Sequence, residues 1–282
     1  MKINEHIKGL RIKHADWPYI LYPLLLILIV SGVTYREWGE VAGFLTFQIL
    51  SLFWLLFYMT HLYRSVKRDL HDQQQKNQAT HTLWNLHSFD VPLPYMSGWS
   101  ATPELALAIT DTIRQNNSKF VLELGSGIST IISGKTLSRS GKGRVLALDH
   151  DEAYLKKTQI ELEKHGVSHI SSLCYTPLIP VTLKRGTWQW YDLSRLPEPI
   201  PPIDLLIVDG PPVKTQKYSR YPALPQLFDR LAPGAVVIVH DTHRNMESEA
   251  ITFWMEEYPD MSAEFIDSEK GITIINTNKK TH

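Results

Sequence analysis

Cysteine is almost absent, since the 282 residues hold only Cys174. No intrachain disulfide framework and no multi-cysteine zinc cluster can be built from one thiol. This favours a reducing compartment for the soluble part and leaves Cys174 a packing role at a strand end. Net charge is absent as well, with 29 Lys plus Arg against 29 Asp plus Glu. There is no global basic field to gather phosphates, so nucleic acid is not expected as a partner. At this length the chain exceeds one average domain and falls short of two, which favours one catalytic domain plus an appendage.

Charge is also missing locally, and this places the appendage. No Asp, Glu, Lys or Arg lies between Asp16 and Arg36, or between Glu40 and Arg64. The runs YILYPLLLILIVSGV and VAGFLTFQILSLFWLLFYMTHLY approach the ~20 apolar residues needed to cross a hydrocarbon core. Neither shows the polar stripe at helical period that a buried soluble helix carries. A cleaved signal peptide is disfavoured, because the first run is long, lacks a small-residue cleavage site and is followed by a second span. Lys2, Lys8, Arg11 and Lys13 precede the first span and Arg64, Lys67 and Arg68 follow the second. By the flanking-charge rule both ends face the cytoplasm. The expected organisation is a cytosolic segment over 1–16, a transmembrane hairpin over 17–63, a linker over 64–94, which can equally continue the second helix, and a catalytic domain over 95–282. The chain is thus expected to be a multi-pass membrane protein with two spans and its catalytic domain in the cytoplasm.

From residue 95 onward, strand and helix patterns alternate. KFVLELG, RVLALD, HISSLCY, DLLIVDG and AVVIVHD read as short apolar strands, with helices at about 129–140, 152–165, 224–231 and 246–257, and AEFID and GITIIN as closing strands. The alternation predicts an α/β fold, a Rossmann-like sandwich with a mostly parallel seven-stranded sheet covered by helices. Ahead of it, TPELALAITDTI carries Thr102 as N-cap, Pro103 in the first turn, and Leu105, Ile109 and Ile113 on one face. Open α/β sheets bind ligands at the carboxyl ends of their strands. The residues there are Glu123 to Gly127, Asp149 with His150, Cys174 to Pro177, Asp209 with Gly210, and His240 with Asp241.

In VLELGSGIST, Gly125 and Gly127 let the backbone turn sharply and approach a ligand closely. Asp149, ending the next strand, stands where an acid accepts paired hydrogen bonds from two ribose hydroxyls. A dinucleotide fingerprint requires glycine or alanine where this chain has Thr130. Glu123, two residues before the first glycine, would repel a pyrophosphate and suits the cationic amino group of the methionine half of S-adenosylmethionine (SAM). The competing structural readings are a satisfied buried acid for Glu123, plain turn glycines, and a helix N-cap for Asp149.

The E-L-G-S-G signature with Asp149 downstream resembles class I SAM-dependent methyltransferases. The series SGWSATPEL, VLELGSGIST, LLIVDGPP, SRYPALP, HDTHRNMESE and SEKGITI is similar to the methyltransferase domain 24 subgroup, over about two thirds of the chain and not over the hairpin. The resemblance implies that SAM is the cofactor, with Glu123, Gly125, Ser126 and Gly127 on its methionine and ribose side. It assigns Asp149 to the ribose, and His150 and Cys174–Pro177 to the flanks of the adenine.

Asp209, His240 and Asp241 end the fourth and fifth strands and are expected beside the sulfonium as catalytic residues, Asp241 or His240 acting as general base. Methyl transfer to oxygen needs an aligned acceptor and removal of its proton. The arrangement resembles catechol-type O-methyltransferases, in which two acids and an amide hold magnesium. Here Asp209 and Asp241 match the acids and Thr242 replaces the amide, which favours metal-independent catalysis, with Asp209 and Asp241 as the ligands if a metal binds. Arg220, Tyr221 and Arg244 are candidates for substrate contact, Arg244 equally for bracing its loop with Glu247. Trp99, Trp188, Trp190 and Tyr191 are candidates for an aromatic wall, or for core. The expected activity is SAM-dependent methylation, on oxygen, of a small-molecule, glycan or lipid-linked acceptor. The alternatives are a noncatalytic membrane protein with a SAM- or partner-binding domain and, more distantly, a nicotinamide-dependent oxidoreductase.

Overall fold

A computed structural model describes residues 17–96 and 98–278; the expected cytosolic segment 1–16 lies outside the described residues. The chain divides into two compact units, Met1–His71 and Asp72–His282. In the first, helix α1 (Trp17–Trp38) is followed by α2 (Glu40–Leu86), whose last turns belong to the second unit. Both helices are long and apolar enough to cross a membrane. Within this unit Trp54 donates its indole N–H to the Tyr19 carbonyl at 3.1 Å, and the Tyr19 and His61 rings lie 4.7 Å apart. Most apolar side chains here, Leu26, Leu28, Phe44 and Phe53 among them, are exposed. Only 17% and 6% of the two apolar windows is buried, unlike the core helix of a soluble protein. Of the two readings of the segment after Arg64, the structure has the helical continuation, which runs to Leu86.

The second unit begins with the end of α2, where Ala79 and Leu83 are buried, as is His87 just beyond it. His87 bonds the Thr110 hydroxyl at 3.1 Å; burial, with Arg139, Arg114 and Lys135 nearby, lowers its pKa to about 4. Helix α3 (Pro103–Gln115) starts where its sequence dictates: the Thr102 hydroxyl accepts the Leu105 N–H at 3.2 Å and Pro103 occupies the first turn. Leu105, Ile109 and Ile113 are buried against Val121, Leu205, Ile207 and Ile238 of the sheet. Each contributes roughly 1.5–3 kcal/mol by leaving water.

The remaining elements are β1 (Phe120–Leu124), α4 (Ile128–Ser140), β2 (Arg144–Asp149), α5 (Glu152–Lys164), β3 (Ser171–Tyr175), β4 (Leu178–Leu183), β5 (Gly186–Tyr191), β6 (Ile203–Val208), α6 (Ala223–Leu227), β7 (Leu231–His240), α7 (Asn245–Glu257), β8 (Ser262–Ile266) and β9 (Ile272–Asn276). Seven strands form one sheet in the order β3-β2-β1-β6-β7-β9-β8. The first five run parallel, while β9 pairs antiparallel with both β7 and β8. The expected mostly parallel seven-stranded α/β sheet is therefore present. The inner parallel strands β1 and β6 are mostly apolar and almost wholly buried because helices cover both faces, whereas the edge strand β3 is partly exposed. Strand order reverses between β1 and β6, and that crevice is where the fold offers a ligand site.

One element was not anticipated: β4 and β5 form a separate antiparallel hairpin. It carries Trp188, Trp190 and Tyr191 into the core beside Tyr221 and Trp254. Trp188 and Trp190 thus realise the core alternative and not an aromatic wall.

Candidate functional site

A cleft of about 260 Å³ opens at the carboxyl ends of β1, β2 and β6. Its walls include Gly125, Ser126, Asp149, His150, Asp209 and Gly210, with Trp99 and Lys214 at its rim. Local sequence explains the shape. Gly125 has φ 99°, a conformation that L side chains rarely adopt, so the chain can turn out of β1 at once. Gly210 lies against the backbone of Leu124 and Gly125, and a Cβ there would strike the Tyr191 hydroxyl. The Gly127 N–H is taken by the Thr130 hydroxyl at 3.0 Å, so Thr130 closes the first turn of α4 at the position where dinucleotide-binding loops need a third glycine.

Asp149 is held by its neighbours. Its Oδ2 accepts the Ser126 N–H at 3.0 Å and the Ser126 hydroxyl at 2.9 Å, while Oδ1 accepts the Asp151 N–H at 3.0 Å. Burial alone would raise its pKa, but hydrogen bonds from His150, Asp151 and Ser126 outweigh that and hold it below the ordinary carboxylate range. The N-cap of α5 is Asp151, whose Oδ1 accepts the Tyr154 N–H, which leaves Asp149 free of that role. Asp151 and Tyr154 also line the cleft, as does Lys214, and all three escaped the sequence reading. A polar residue one turn into the helix after a strand-terminal acid was the available signal for Tyr154.

Glu123 is placed differently from Gly125 and Ser126, and the expected Gly127 likewise does not line the cleft. Glu123 is fully buried in β1 and is not among the residues of the cleft wall. Neither carboxylate oxygen closes a hydrogen bond of good geometry. Burial pushes its pKa up to about 8; the Ser129 and Thr130 hydroxyls oppose the shift, and Asp209 and Asp149 add to it. Near neutral pH the group is therefore mainly the uncharged acid. Nothing from Cys174–Pro177 lines the cleft; the Thr176 N–H instead bonds the Asp149 carbonyl at 2.9 Å.

At the ends of β6 and β7 the structure brings together Asp209, His240 and Asp241, whose donor atoms lie within 4.8 Å of one another. Of these only Asp209 lines the cleft; His240 and Asp241 are buried. His240 Nδ1 lies 2.9 Å from Asp209 Oδ1. Arg220 is buried among them. It donates to the His240 carbonyl, to the Asp209 carbonyl at 3.0 Å and Oδ1 at 3.3 Å, and to Asp241 Oδ2 at 2.7 Å. Burial would raise the Asp209 pKa, but the charge and hydrogen bond of His240, together with Arg220, hold it below the ordinary value. The three substrate candidates stand as follows. Arg220 is engaged with the acids and absent from the cleft wall. Tyr221 points into the core, its hydroxyl on Glu257 at 2.8 Å. Arg244 pairs with Asp241 at 2.9 Å and approaches Glu247 at 3.6 Å, the bracing arrangement. Trp99 and Tyr191 line the cleft, so the aromatic contribution to it comes from these two members of the expected four.

Comparison with known proteins agrees with this geometry. Residues 122–242 match the methyltransferase domain family. No curated protein matches the chain in sequence. Among solved structures, an O-methyltransferase from Bacillus cereus in complex with S-adenosylhomocysteine is 16% identical with a TM-score of 0.51, covering 73% of this chain and 97% of that one. An S-adenosylhomocysteine-bound methyltransferase of Podospora anserina is 14% identical with a TM-score of 0.53, covering 76% and 95%. The larger unit of the chain therefore has the Rossmann-like methyltransferase fold, and its central part matches the methyltransferase domain.

Proposed function

We propose that the protein transfers the methyl group of SAM to an oxygen of a small-molecule, glycan or lipid-linked acceptor, and that α1 and the apolar part of α2 anchor it in a membrane with the catalytic domain cytoplasmic. The observation that carries the cofactor assignment is Asp149, an ionised carboxylate at the end of β2 on the wall of a cleft floored by the Gly125 turn. There it can accept the ribose hydroxyls in exchange for the bonds of the Ser126 hydroxyl, which has Thr158 as a second partner, and of His150. Asp149, Asp151 and Asp209 share that wall with one lysine. Such a balance favours a sulfonium and disfavours the pyrophosphate of a dinucleotide.

Methyl transfer is an in-line displacement in which the acceptor oxygen attacks the methyl carbon, the sulfonium leaves as a thioether, and the acceptor proton is lost. The general base expected from the sequence is Asp241 or His240, but both are buried away from the cleft wall, so Asp209, the strand-end acid that lines it, takes that role here, accepting the acceptor O–H and its proton as that hydroxyl becomes acidic in the transition state. His240 and Asp241, buried and bonded to Asp209 and Arg220, hold that carboxylate in place. The membrane reading rests on the exposed apolar surface of α1 and α2 and on the basic flanks in the sequence.

The test is calorimetry on the full-length protein in detergent micelles, with SAM and then with a nicotinamide dinucleotide. SAM should bind and the dinucleotide should not. Binding of the dinucleotide without SAM would overturn the assignment.

A further inference from the structure

A divalent cation in such a site would need the oxygens of Asp209 and Asp241 for itself. Magnesium holds its oxygen ligands at about 2.0–2.1 Å and demands near-octahedral geometry. Here one oxygen of each acid already faces a cation supplied by the chain. The terminal nitrogen Nη2 of Arg220 lies 2.7 Å from Asp241 Oδ2 and 3.3 Å from Asp209 Oδ1, so it sits between the two carboxylates. Asp209 Oδ1 is shared with His240 Nδ1, and Asp241 Oδ2 with Arg244. A dication bound to both oxygens would meet the guanidinium at contact distance, charge against charge. Arg220 cannot simply leave, because it is 3% exposed and its other bonds go to the backbone carbonyls of Asp209 and His240. The donor set therefore does not fit a metal ion.

We infer that the Arg220 guanidinium is a built-in replacement for a divalent cation, acting as a positioning residue that ties the buried Asp241 to Asp209 and so fixes Asp209 on the cleft wall. A second observation agrees. Asp241 has φ 62°, a conformation that costs a non-glycine residue energy and persists where the surroundings over-determine it. Two guanidinium groups on its carboxylate do so here. The planar, permanently charged fork of arginine suits this better than lysine would, since it reaches two carboxylates and two carbonyls at once. The consequence for turnover, which alone rests on the methyl-transfer reading, is that no chelated pair of acceptor oxygens is required: one hydroxyl suffices.

The test is manganese binding followed by electron paramagnetic resonance on the full-length protein in detergent, a readout that needs no substrate. Wild type and Asp241→Asn should give the same manganese titration, because neither uses Asp241 as a ligand. Arg220→Ala should gain one site per chain that binds at least tenfold tighter than any in wild type, and Arg220→Ala combined with Asp241→Asn should lose it. Circular dichroism and thermal unfolding serve as the fold control for Arg220→Ala. Should that variant fail to fold, the comparison of wild type with Asp241→Asn still decides. Stoichiometric manganese binding by wild type that Asp241→Asn abolishes would overturn the inference, as would a folded Arg220→Ala that gains no site.

Discussion

Replacing Glu123 with glutamine should stabilise the protein by an amount that grows with pH. The buried carboxyl has a folded-state pKa of about 8 against an ordinary value of 4.5, with burial as the main cause. Between these values the unfolded chain has released the proton and the folded chain still holds it, so stability falls as pH rises. Each unit costs about 1.4 kcal/mol, and the interval amounts to roughly 5 kcal/mol once pH exceeds the folded value. Below the unfolded value both states are protonated and the penalty vanishes. Glutamine has nearly the same shape and no titration. Its advantage over wild type should therefore increase between pH 5 and pH 8 and then level off. For a domain of this size about 1 kcal/mol corresponds to roughly 2–4 °C in Tm, so the gap should widen by on the order of 10 °C or more. Thermal unfolding followed by near-ultraviolet circular dichroism, at closely spaced pH values without ligand, would measure it. A gap independent of pH would show that Glu123 is ionised in the folded protein, and would refute the reasoning that burial dominates its environment.

Three further outcomes are expected. Asp149→Ala should weaken SAM binding by about 1.5–3 kcal/mol, roughly 10- to 100-fold in Kd by calorimetry, because charge-assisted bonds to the ribose are lost; unchanged affinity in a folded variant would remove Asp149 from the site. Gly210→Ala should destabilise the domain by about 1–3 kcal/mol, since its Cβ would meet the Tyr191 hydroxyl and the Leu124 carbonyl, and adding Tyr191→Phe should recover part of the loss in denaturant melts. Reporter fusions after His282 and within Arg36–Glu40 should report opposite compartments, the first cytoplasmic; a C-terminal reporter active only outside the cytoplasm would reverse the proposed topology.

Much of the fold was readable from residue order because its signals are local. Thr102 and Pro103 start α3 by bonds made within one turn, and Gly125 turns the chain out of β1 wherever that strand is placed. The strands of the parallel sheet announce themselves by apolar runs, since burial on both faces leaves no room for alternation. The hairpin of β4 and β5 carries no such signal: its turn is Lys184–Arg185, without the Asn-Gly or Asp-Gly pair that marks a two-residue loop. The loop at the carboxyl end of β1 and the acid ending β2 could be assigned to one crevice from the rule for open sheets. What residue order could not determine is which side chain fills which space. Arg220 meets Asp241 across 21 residues and Asp209 across 11, and only the packed sheet brings the three together. Tyr221, its neighbour, turns the opposite way into the core, although both read alike as candidates to touch an acceptor. Glu123 differs from Asp149 for the same reason. Both acids lie at or near strand ends and burial raises the pKa of both, but hydrogen bonds from His150, Asp151 and Ser126 outweigh it at Asp149 while the Ser129 and Thr130 hydroxyls do not at Glu123, and that difference exists only once the chain has folded around them.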